Sequence, residues 1–457
     1  MDLIVANIVD AYRDNVALIQ DPALRQSEVL DSFYLADRAL LWRDGRKLVV
    51  TSLPVEPAHV RYLQQALGYR TLENLYPSQA TEALIADILR EDDLRARIVQ
   101  RLRGEPEVAL ISFMASHEVL ALAEVLRREG LPVTTPECPS PENMAIRDEL
   151  DSKAGFRRFF SRIEGKVPGV RLPEGIVARN PAEAARAAAG FLSAGRGCVI
   201  KPNNSQSGVG FIILPAGSLD GTPAEMERTL RARLEADSQM TADVVVVEEW
   251  IDIDKSVGGG SPSVEMHIPA DPQRDVEFLY LCGQILTPSG YFCGVDMYPG
   301  VAGGRLEPVI EAAGVTVARE MRRLGYVGYF DMDLVIDRQG VPYAVEVNTR
   351  RTGGTHAHEA AEAIYGPRYW ERAGVISNSN QRFAGPALDY AGLQQVLGDL
   401  LFPARGRKEG ILPAIVASLV ENRFGYIALG ESIGRAREIE QAMFRRLAES
   451  GRPVIAA

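Results

Sequence analysis

The sequence is poor in cysteine. Its 457 residues include four cysteines, Cys138, Cys198, Cys282 and Cys293, and no two of them form a C-x-x-C pair. Disulfide-stapled domains are dense in cysteine and zinc sites use closely spaced pairs, so the sequence predicts neither a disulfide framework nor a zinc site. Free cysteines at wide spacing are typical of a reducing compartment, and we expect a cytoplasmic protein.

Positive charge and long apolar runs are also scarce. The 50 lysines and arginines stand against 61 aspartates and glutamates, and the net charge of −11 argues against a nucleic-acid-binding surface. No apolar segment approaches the roughly 18 residues that span a membrane, and no basic segment followed by an apolar run opens the chain. The 46% hydrophobic and 24% charged content is that of a soluble globular protein. We therefore expect small-molecule partners, with neither nucleic acid nor a membrane involved.

Two common nucleotide-binding fingerprints are missing. No G-x-G-x-x-G follows a predicted strand in the N-terminal region, and the Walker A pattern G-x-x-x-x-G-K-[ST] does not occur in the chain. A dinucleotide site near the N-terminus and a phosphate-binding P-loop are therefore not supported.

The N-terminal region has the pattern of an α/β domain. Residues 47–51 and 107–113 read as buried strands, and residues 118–129 carry apolar side chains at helical spacing before Gly130. Strands that alternate with helices are typical of α/β domains. The proline-rich residues 136–141 mark a boundary, because a chain of this length is too long for one ordinary core.

The segment from residue 329 to 358 has the pattern of a β-hairpin that carries polar side chains. Apolar and polar residues alternate on both sides of a turn at residues 337–340, and side chains two apart on a strand share a face. Asp333, Glu346 and Asn348 would then meet, and their carboxylate and amide oxygens suit Mg²⁺. An exposed hairpin with acidic residues on its solvent face is the alternative that this pattern leaves open.

Another predicted hairpin ends its first strand in a lysine. Residues 197–202 read as a short buried strand that contains Lys201, and residues 211–214 form the returning strand. The loop between them is polar and contains glycine, so its N–H groups and hydroxyls could close over a triphosphate while Lys201 neutralises charge. A flexible surface hairpin is the alternative. The candidate contacts are Lys201, Ser205, Ser207, Gly208 and Gly210.

Four consecutive valines precede Glu248 and Glu249 in a strand predicted at residues 243–251. Such a strand is buried on both faces, so the two glutamates mark its exit into a cleft. There, backbone groups up to Ile251 and one carboxylate could bind an adenine edge. Lys153 lies in a helical segment, where a solvated lysine is the ordinary interpretation. A functional role for Lys153 is supported only by the motifs that follow it in the sequence.

Taken in order, these pieces resemble the ATP-grasp superfamily. The resemblance covers residues 141 to about 370, and single pieces are weak while their order is specific. It rests on Lys153, residues 200–202, the loop through Gly210, residues 247–251, Asp333 and residues 346–350. Within the superfamily, the run at residues 348–356, the long N-terminal domain and the C-terminal extension are most similar to the pheganomycin-type peptide ligases.

ATP-grasp enzymes activate a carboxylate with ATP to an acyl phosphate, and a nucleophile, usually an amine, then displaces phosphate. The resemblance implies that Lys153 and Lys201 hold the α- and β-phosphates. It also implies that Glu248 and the backbone near Glu249 and Ile251 contact adenine, and that Glu265 contacts the ribose.

The resemblance also implies the metal site and the catalytic charges. The implied ligands of Mg²⁺, expected as two ions, are Asp333, Glu346 and Asn348. Arg350, together with Lys201, would stabilise the charge that develops on the acyl phosphate, because phosphoryl transfer depends on positioned cations. Asp331 stands where D-alanine:D-alanine ligases carry an arginine, and this departure assigns the catalytic charge to Arg350.

The residues that follow the predicted hairpin are candidates for the substrate pocket. Arg351, Thr355 and His356 flank a Gly-Gly turn and could contact a substrate. A structural role at the start of a helix is the alternative for each of them.

We therefore predict an α/β domain over residues 1–140, a two-lobed ATP-grasp fold over 141–383, and a small α+β lobe over 384–457 on the substrate side. The expected activity is an ATP-dependent ligation of a small-molecule or peptide carboxylate to an amine acceptor, with release of ADP and phosphate. A carboxylase or phosphotransferase acting on a small metabolite, and a non-catalytic nucleotide-binding regulator, are the competing functions. We expect a homodimer, the commonest assembly of soluble oligomers.

Overall fold

The structure, a computed structural model, describes residues 1–204, 210–287 and 290–455. These residues form a parallel sheet near the N-terminus, a small antiparallel sheet and a large antiparallel sheet. No helix within these described ranges is both long and apolar enough to cross a membrane.

The N-terminal domain is an α/β sandwich around a parallel sheet in the order β3-β2-β1-β4-β5. The strands are β1 (Asp2–Val5), β2 (Arg46–Val50), β3 (Thr71–Leu75), β4 (Val108–Ser112) and β5 (Val133–Thr134). The helices are α1 (Ile8–Ala17), α2 (Pro22–Leu35), α3 (Pro57–Leu67), α4 (Leu84–Arg90), α5 (Asp92–Leu102) and α6 (His117–Arg128). Leu3 and Val5 pack into one core while Ile4 packs into another, as expected for a parallel sheet that is covered on both faces. The α/β prediction is confirmed.

A short helical segment and the small sheet follow. Helices α7 (Met144–Asp151) and α8 (Lys153–Ile163) precede a sheet in the order β6-β9-β7-β8. Its elements are β6 (Gly175–Ala178), α9 (Pro181–Ser193), β7 (Cys198–Pro202), β8 (Ile212–Leu214), α10 (Pro223–Glu235), α11 (Ser238–Thr241) and β9 (Val245–Glu249). Val245 and Val247 share a buried core with the alanine-rich face of α9, so the apolar strand is covered by helices.

The large sheet has the order β14-β13-β10-β11-β12-β15-β17-β16, and β18 also pairs with β15. Its strands are β10 (Pro262–Ile268), β11 (Glu277–Leu286), β12 (Phe292–Met297), β13 (Gly328–Ile336), β14 (Pro342–Asn348), β15 (Gly374–Phe383), β16 (Gly410–Ile415), β17 (Arg423–Gly430) and β18 (Val454–Ile455). The accompanying helices are α12 (Glu307–Arg323), α13 (Thr355–Tyr365), α14 (Tyr390–Leu397) and α15 (Ile433–Glu449). The hairpin predicted from residue 329 onward is confirmed as β13 and β14.

The C-terminal segment extends the large sheet and does not form a sheet of its own. β15 pairs with β12 on one side and with β17 on the other, so backbone hydrogen bonds run across the predicted boundary at residue 383. This segment is also attached to the N-terminal domain, since the Asp37 carboxylate accepts hydrogen bonds from the N–H groups of Val416 and Ala417, each at 2.8 Å. The N-terminal domain and the C-terminal segment are therefore in direct contact.

Candidate active site

The β13–β14 hairpin brings four oxygen-bearing side chains together. Asp333 lies opposite Glu346 and Asp331 lies opposite Asn348 in the strand register. The Asn348 amide nitrogen donates hydrogen bonds to Asp331 at 2.9 Å and to Asp333 at 3.3 Å. The predicted ligands Asp333, Glu346 and Asn348 thus share one site. Asp331 joins them, and its position two residues before Asp333 was the sequence signal for a shared face.

The electrostatics of this group favour a cation. Burial and the charge of Glu265 raise the pKa of Asp331 to about 7. Burial, followed by the charges of Asp331 and Glu346, raises the pKa of Asp333 well above its usual value. A bound divalent ion would offset this crowding of negative charge, and oxygen ligands suit Mg²⁺.

The arrangement also limits how such an ion would be held. Within the described ranges, no three acidic, histidine or cysteine side chains converge closely enough to hold a metal ion by themselves. Mg²⁺ commonly takes one or two carboxylates and completes its shell with water and substrate phosphates. The residues present therefore fit Mg²⁺ that arrives with a nucleotide.

Two lysines reach the same hairpin from different elements. Lys153 is the first residue of α8, and its Nζ lies 3.1 Å from a carboxylate oxygen of Glu346. Lys201, in β7, lies 3.4 Å from the carbonyl oxygen of Val345. Both ammonium groups approach the ring of Phe211, at 5.7 and 5.6 Å from its centre. The structure thus brings two cations close to the side-chain oxygens of Asp331, Asp333, Glu346 and Asn348, which we call the oxygen group. A triphosphate site requires cations in such a position.

The loop between β7 and β8 is described only in part. The predicted contacts Ser205, Ser207 and Gly208 lie outside the described residues. Gly210 is described and has a φ of +81°, in the left-handed region that favours glycine.

Glu248 is the centre of a buried ion cluster. One of its carboxylate oxygens lies 2.5 Å from Lys201 Nζ and the other accepts a hydrogen bond from Arg157 at 2.9 Å. Arg157 was not found by sequence reasoning, because it lies in a basic stretch of α8 with no pattern of its own. Glu249 is tied to Arg196 at 2.5 Å, and Ile251 follows the strand end. Glu248, Glu249 and Ile251 all line the cavity described next.

A cavity of about 1080 Å³ lies between the small sheet, the large sheet and helices α1 and α2. On one side it is walled by Val199, Phe211 and Ile213 of the small sheet, and Lys201 and Glu248 point into it. Its floor contains the oxygen group of the hairpin. A nucleotide and a second small molecule fit in a space of this size.

Arg350 lies on the far side of the oxygen group. Its Nη2 donates a hydrogen bond to the Asn348 side-chain oxygen at 2.8 Å. Its guanidinium lies 5.6 Å from the ring centres of both Tyr12 and Phe113, which belong to the N-terminal domain. Arg350 therefore lies between the oxygen group of the hairpin and the part of the cavity wall that Tyr12 and Phe113 of the N-terminal domain form.

Six described site candidates are not part of the cavity lining: Lys153, Gly210, Glu265, Arg351, Thr355 and His356. Glu265 is fully buried and accepts hydrogen bonds from Thr352 at 2.6 Å and Thr355 at 2.5 Å, and burial raises its pKa to about 7. His356 is fully buried with its Nε2 at 3.3 Å from the Ser377 hydroxyl. The structure therefore places Glu265, Thr355 and His356 in the protein interior and not in the lining of the cavity.

Arg351 also has a structural position. It is 1% exposed, donates two hydrogen bonds from Nη2 to Glu137 at 2.8 and 3.0 Å, and donates a third from Nη1 to Glu359 at 3.0 Å. The rings of Trp42 and Tyr329 cover its guanidinium. Its guanidinium is therefore paired with two buried carboxylates, and Arg351 is not part of the cavity lining.

Comparisons with known proteins agree with this architecture. The sequence model of the Pre ATP-grasp domain matches residues 10–127. The structure is similar to the biotin carboxylase–β,γ-ATP complex from Campylobacter jejuni, with a TM-score of 0.57, 11% identity, and coverage of 100% of this chain and 92% of that chain. N5-carboxyaminoimidazole synthetase from Staphylococcus aureus gives a TM-score of 0.50 and 11% identity over 98% of this chain and 97% of that chain.

The fold and the comparisons together show a Pre ATP-grasp domain at residues 10–127 and, over the whole chain, the fold of biotin carboxylase. A curated relative lies nearer in sequence. It is the L-propargylglycine--L-glutamate ligase of Streptantibioticus cattleyicolor, which is 27% identical over 377 residues, or 78% of this chain and 73% of the relative.

Proposed function

We propose that this protein is an ATP-dependent carboxylate-amine ligase that releases ADP and phosphate. The observation that carries the proposal is that one cavity joins Lys201, the oxygen group of the β13–β14 hairpin and Arg350. The relative named as a ligase of two amino acids supports the C–N bond-forming class.

Asp333, Glu346 and Asn348, with Asp331 beside them, would hold Mg²⁺, proposed as two ions. When bound, the metal neutralises charge on the phosphates of ATP. Lys153 and Lys201 would neutralise the remaining phosphate oxygens, and the apolar walls of the small sheet would keep water from the nucleotide. Positioned charges of this kind supply most of the catalysis in phosphoryl transfer.

The second half of the reaction takes place beside Arg350. The amine attacks the acyl carbon, a C–N bond forms, and the bond between that carbon and the phosphate oxygen breaks. Phosphate leaves with the electron pair, and the proton of the amine passes to the released phosphate. Arg350 would stabilise the negative charge on the acyl oxygen, because its guanidinium is held next to the metal ligands by Asn348.

The activity can be measured with ATP, Mg²⁺ and paired amino acids or peptides. We expect ADP and phosphate in equal amounts, formed only when a carboxylate and an amine are both present. Hydroxylamine should replace the amine and yield a hydroxamate, since it traps an acyl phosphate. Formation of AMP and pyrophosphate as the sole products would contradict the proposal.

Glu346→Ala is expected to abolish turnover while the fold is retained, because it removes a metal ligand that also contacts Lys153. Glu320→Ala is a matched control. Glu320 makes an ion pair of the same length with Lys166, 3.1 Å, on the protein surface. Full activity of Glu346→Ala would overturn the metal assignment.

A homodimer located in the cytoplasm, expected from the chain length and the cysteine usage, belongs to the same proposal. Light scattering of the purified protein tests the assembly, and a monomeric mass would refute it.

A further inference from the structure

Arg38 is a buried arginine without an acidic partner. It lies in the short 3₁₀ helix Ala36–Leu41 that follows α2, and it lines the cavity. The residue is 5% exposed, and its Nε donates a hydrogen bond to the Leu35 carbonyl at 3.2 Å. In the described part of the chain, no carboxylate forms an ion pair with its guanidinium.

Other buried arginines of the same molecule show the contrast. Arg157 pairs with Glu248, Arg351 pairs with Glu137 and Glu359, and Arg423 pairs with Asp31 and Glu421. The fold therefore compensates these cations internally. Burying a charge without compensation is costly, so a buried arginine that faces a cavity alone marks a place for an anion from outside.

Arg350 is among the charged groups that act on Arg38. Burial lowers the pKa of Arg38 to about 10, the phenol of Tyr12 opposes this shift, and the charge of Arg350 adds to it. Burial and then the charge of Arg38 hold the pKa of His356 well below its usual value. Two guanidinium groups thus face one part of the cavity, on the side that the N-terminal domain closes.

We propose that Arg38 binds the α-carboxylate of the amine substrate, which is then a free α-amino acid. This inference rests on the proposed ligase function. Arginine is well suited to the task, because its planar guanidinium matches a carboxylate with two parallel hydrogen bonds. In an α-amino acid a single carbon separates the carboxylate from the amine. A carboxylate held at Arg38 therefore keeps the amine inside the cavity that Arg350 also lines.

The proposal gives the N-terminal domain a defined role. It supplies Arg38 from the segment after α2, and Tyr12 and Phe113 to support Arg350. The product would be a peptide with a free C-terminal carboxylate. Acceptors without that carboxylate, such as amino acid amides, would bind poorly, because the guanidinium would stay buried and unpaired.

The test compares the wild type, Arg38→Gln and Arg38→Lys in the full-length protein. Each is titrated with the standard L-amino acids and their carboxamides, with a non-hydrolysable ATP analogue and Mg²⁺ present, and binding is read as a rise in melting temperature. The kcat/KM for product formation is measured in parallel for the best acceptor and for its carboxamide. Arg13→Gln is the matched control, since Arg13 is an arginine of α1 whose side chain is 42% exposed and lies outside the cavity lining.

We expect the wild type to prefer the acid over its carboxamide by about 100-fold or more in kcat/KM, and Arg38→Gln to lose most of that preference. Arg38→Lys should keep part of it, and KM for ATP should stay within about twofold of the wild type in all variants. The melting temperature of ligand-free Arg38→Gln should not fall, because an uncompensated buried charge is removed.

Three results would overturn the inference. A raised KM for ATP in Arg38→Gln would assign Arg38 to a phosphate. An unchanged preference for the acid would place the carboxylate site elsewhere, and a large fall in melting temperature would make Arg38 a structural residue. If the wild type makes no peptide but binds amino acids, and Arg38→Gln does not bind them, the carboxylate site is supported and the proposed ligase function is refuted.

Discussion

Replacing either of two adjacent arginines, Arg350 and Arg351, by methionine should have different effects: the first should reduce turnover and the second should reduce stability. Arg350→Met is expected to lose turnover with little change in stability, because Arg350 faces the cavity and, among the described residues, forms no ion pair with a carboxylate. Arg351→Met is expected to lose stability first. Its guanidinium is the shared partner of Glu137 and Glu359, and both carboxylates would be left behind in the interior.

The size of the second effect follows from the burial of the partners. The side chains of Glu137 and Glu359 are 7% and 10% exposed, so water cannot replace the lost guanidinium. Removing one member of such a buried pair costs about 3–5 kcal/mol. At roughly 1 °C per kcal/mol for a chain of 457 residues, the melting temperature should fall by about 3–5 °C. The lost contacts with Trp42 and Tyr329 act in the same direction.

Thermal unfolding of the two single variants, together with ligase activity well below the melting temperature, tests this reasoning. The double variant Arg351→Met/Glu137→Gln should recover part of the lost stability, because one of the two stranded charges is removed. If Arg351→Met melts within about 2 °C of the wild type while its turnover falls as far as that of Arg350→Met, the structural role is refuted.

Three further outcomes are expected. Asp331→Asn should raise the Mg²⁺ concentration for half-maximal activity by about tenfold or more, and an unchanged Mg²⁺ titration would exclude Asp331 from the metal site. Lys201→Met should raise KM for ATP by about 10-fold or more, as measured by ADP release, while KM for the amine is unchanged. Burial raises the pKa of Asp37 to about 6 in the folded protein, above the unfolded value of about 3.9, so the folded state takes up a proton as pH falls from about 7 to 5. Relative to Asp37→Asn, the wild type should therefore gain stability on acidification and lose it as pH rises through 6, and parallel melting curves of the two proteins against pH would contradict this assignment.

The positions of the proposed metal ligands could be predicted from the sequence. Strand side chains alternate with a period of two, and the turn at residues 337–340 fixes which strands pair, so Asp333, Glu346 and Asn348 had to share a face. The strand that contains Lys201 and the strand that ends at Glu248 were likewise visible as short apolar runs. These features depend only on residues that are close in the sequence, so they can be predicted from local sequence patterns.

Other features depend on which distant segments pack together. Arg350 and Arg351 follow the same strand, and only the contacts of Arg351 with Glu137 and Glu359 decide which of the two faces the cavity. The sequence around Arg38 has no signal for a site, because the proposed role rests on its burial beside the cavity and on the lack of an ion pair with any carboxylate among the described residues.

The sequence by itself thus determined the α/β start of the chain, the hairpin with its predicted metal ligands, the strand that contains Lys201, and the ATP-grasp resemblance. Only the tertiary structure decided that the C-terminal strands continue the large sheet, that Glu265 and His356 belong to the interior, and that Arg38 and Arg350 face one cavity. The physical reason is that periodicity along a strand or helix is set by backbone geometry, whereas burial and charge pairing are set by contacts between residues that are far apart in the sequence.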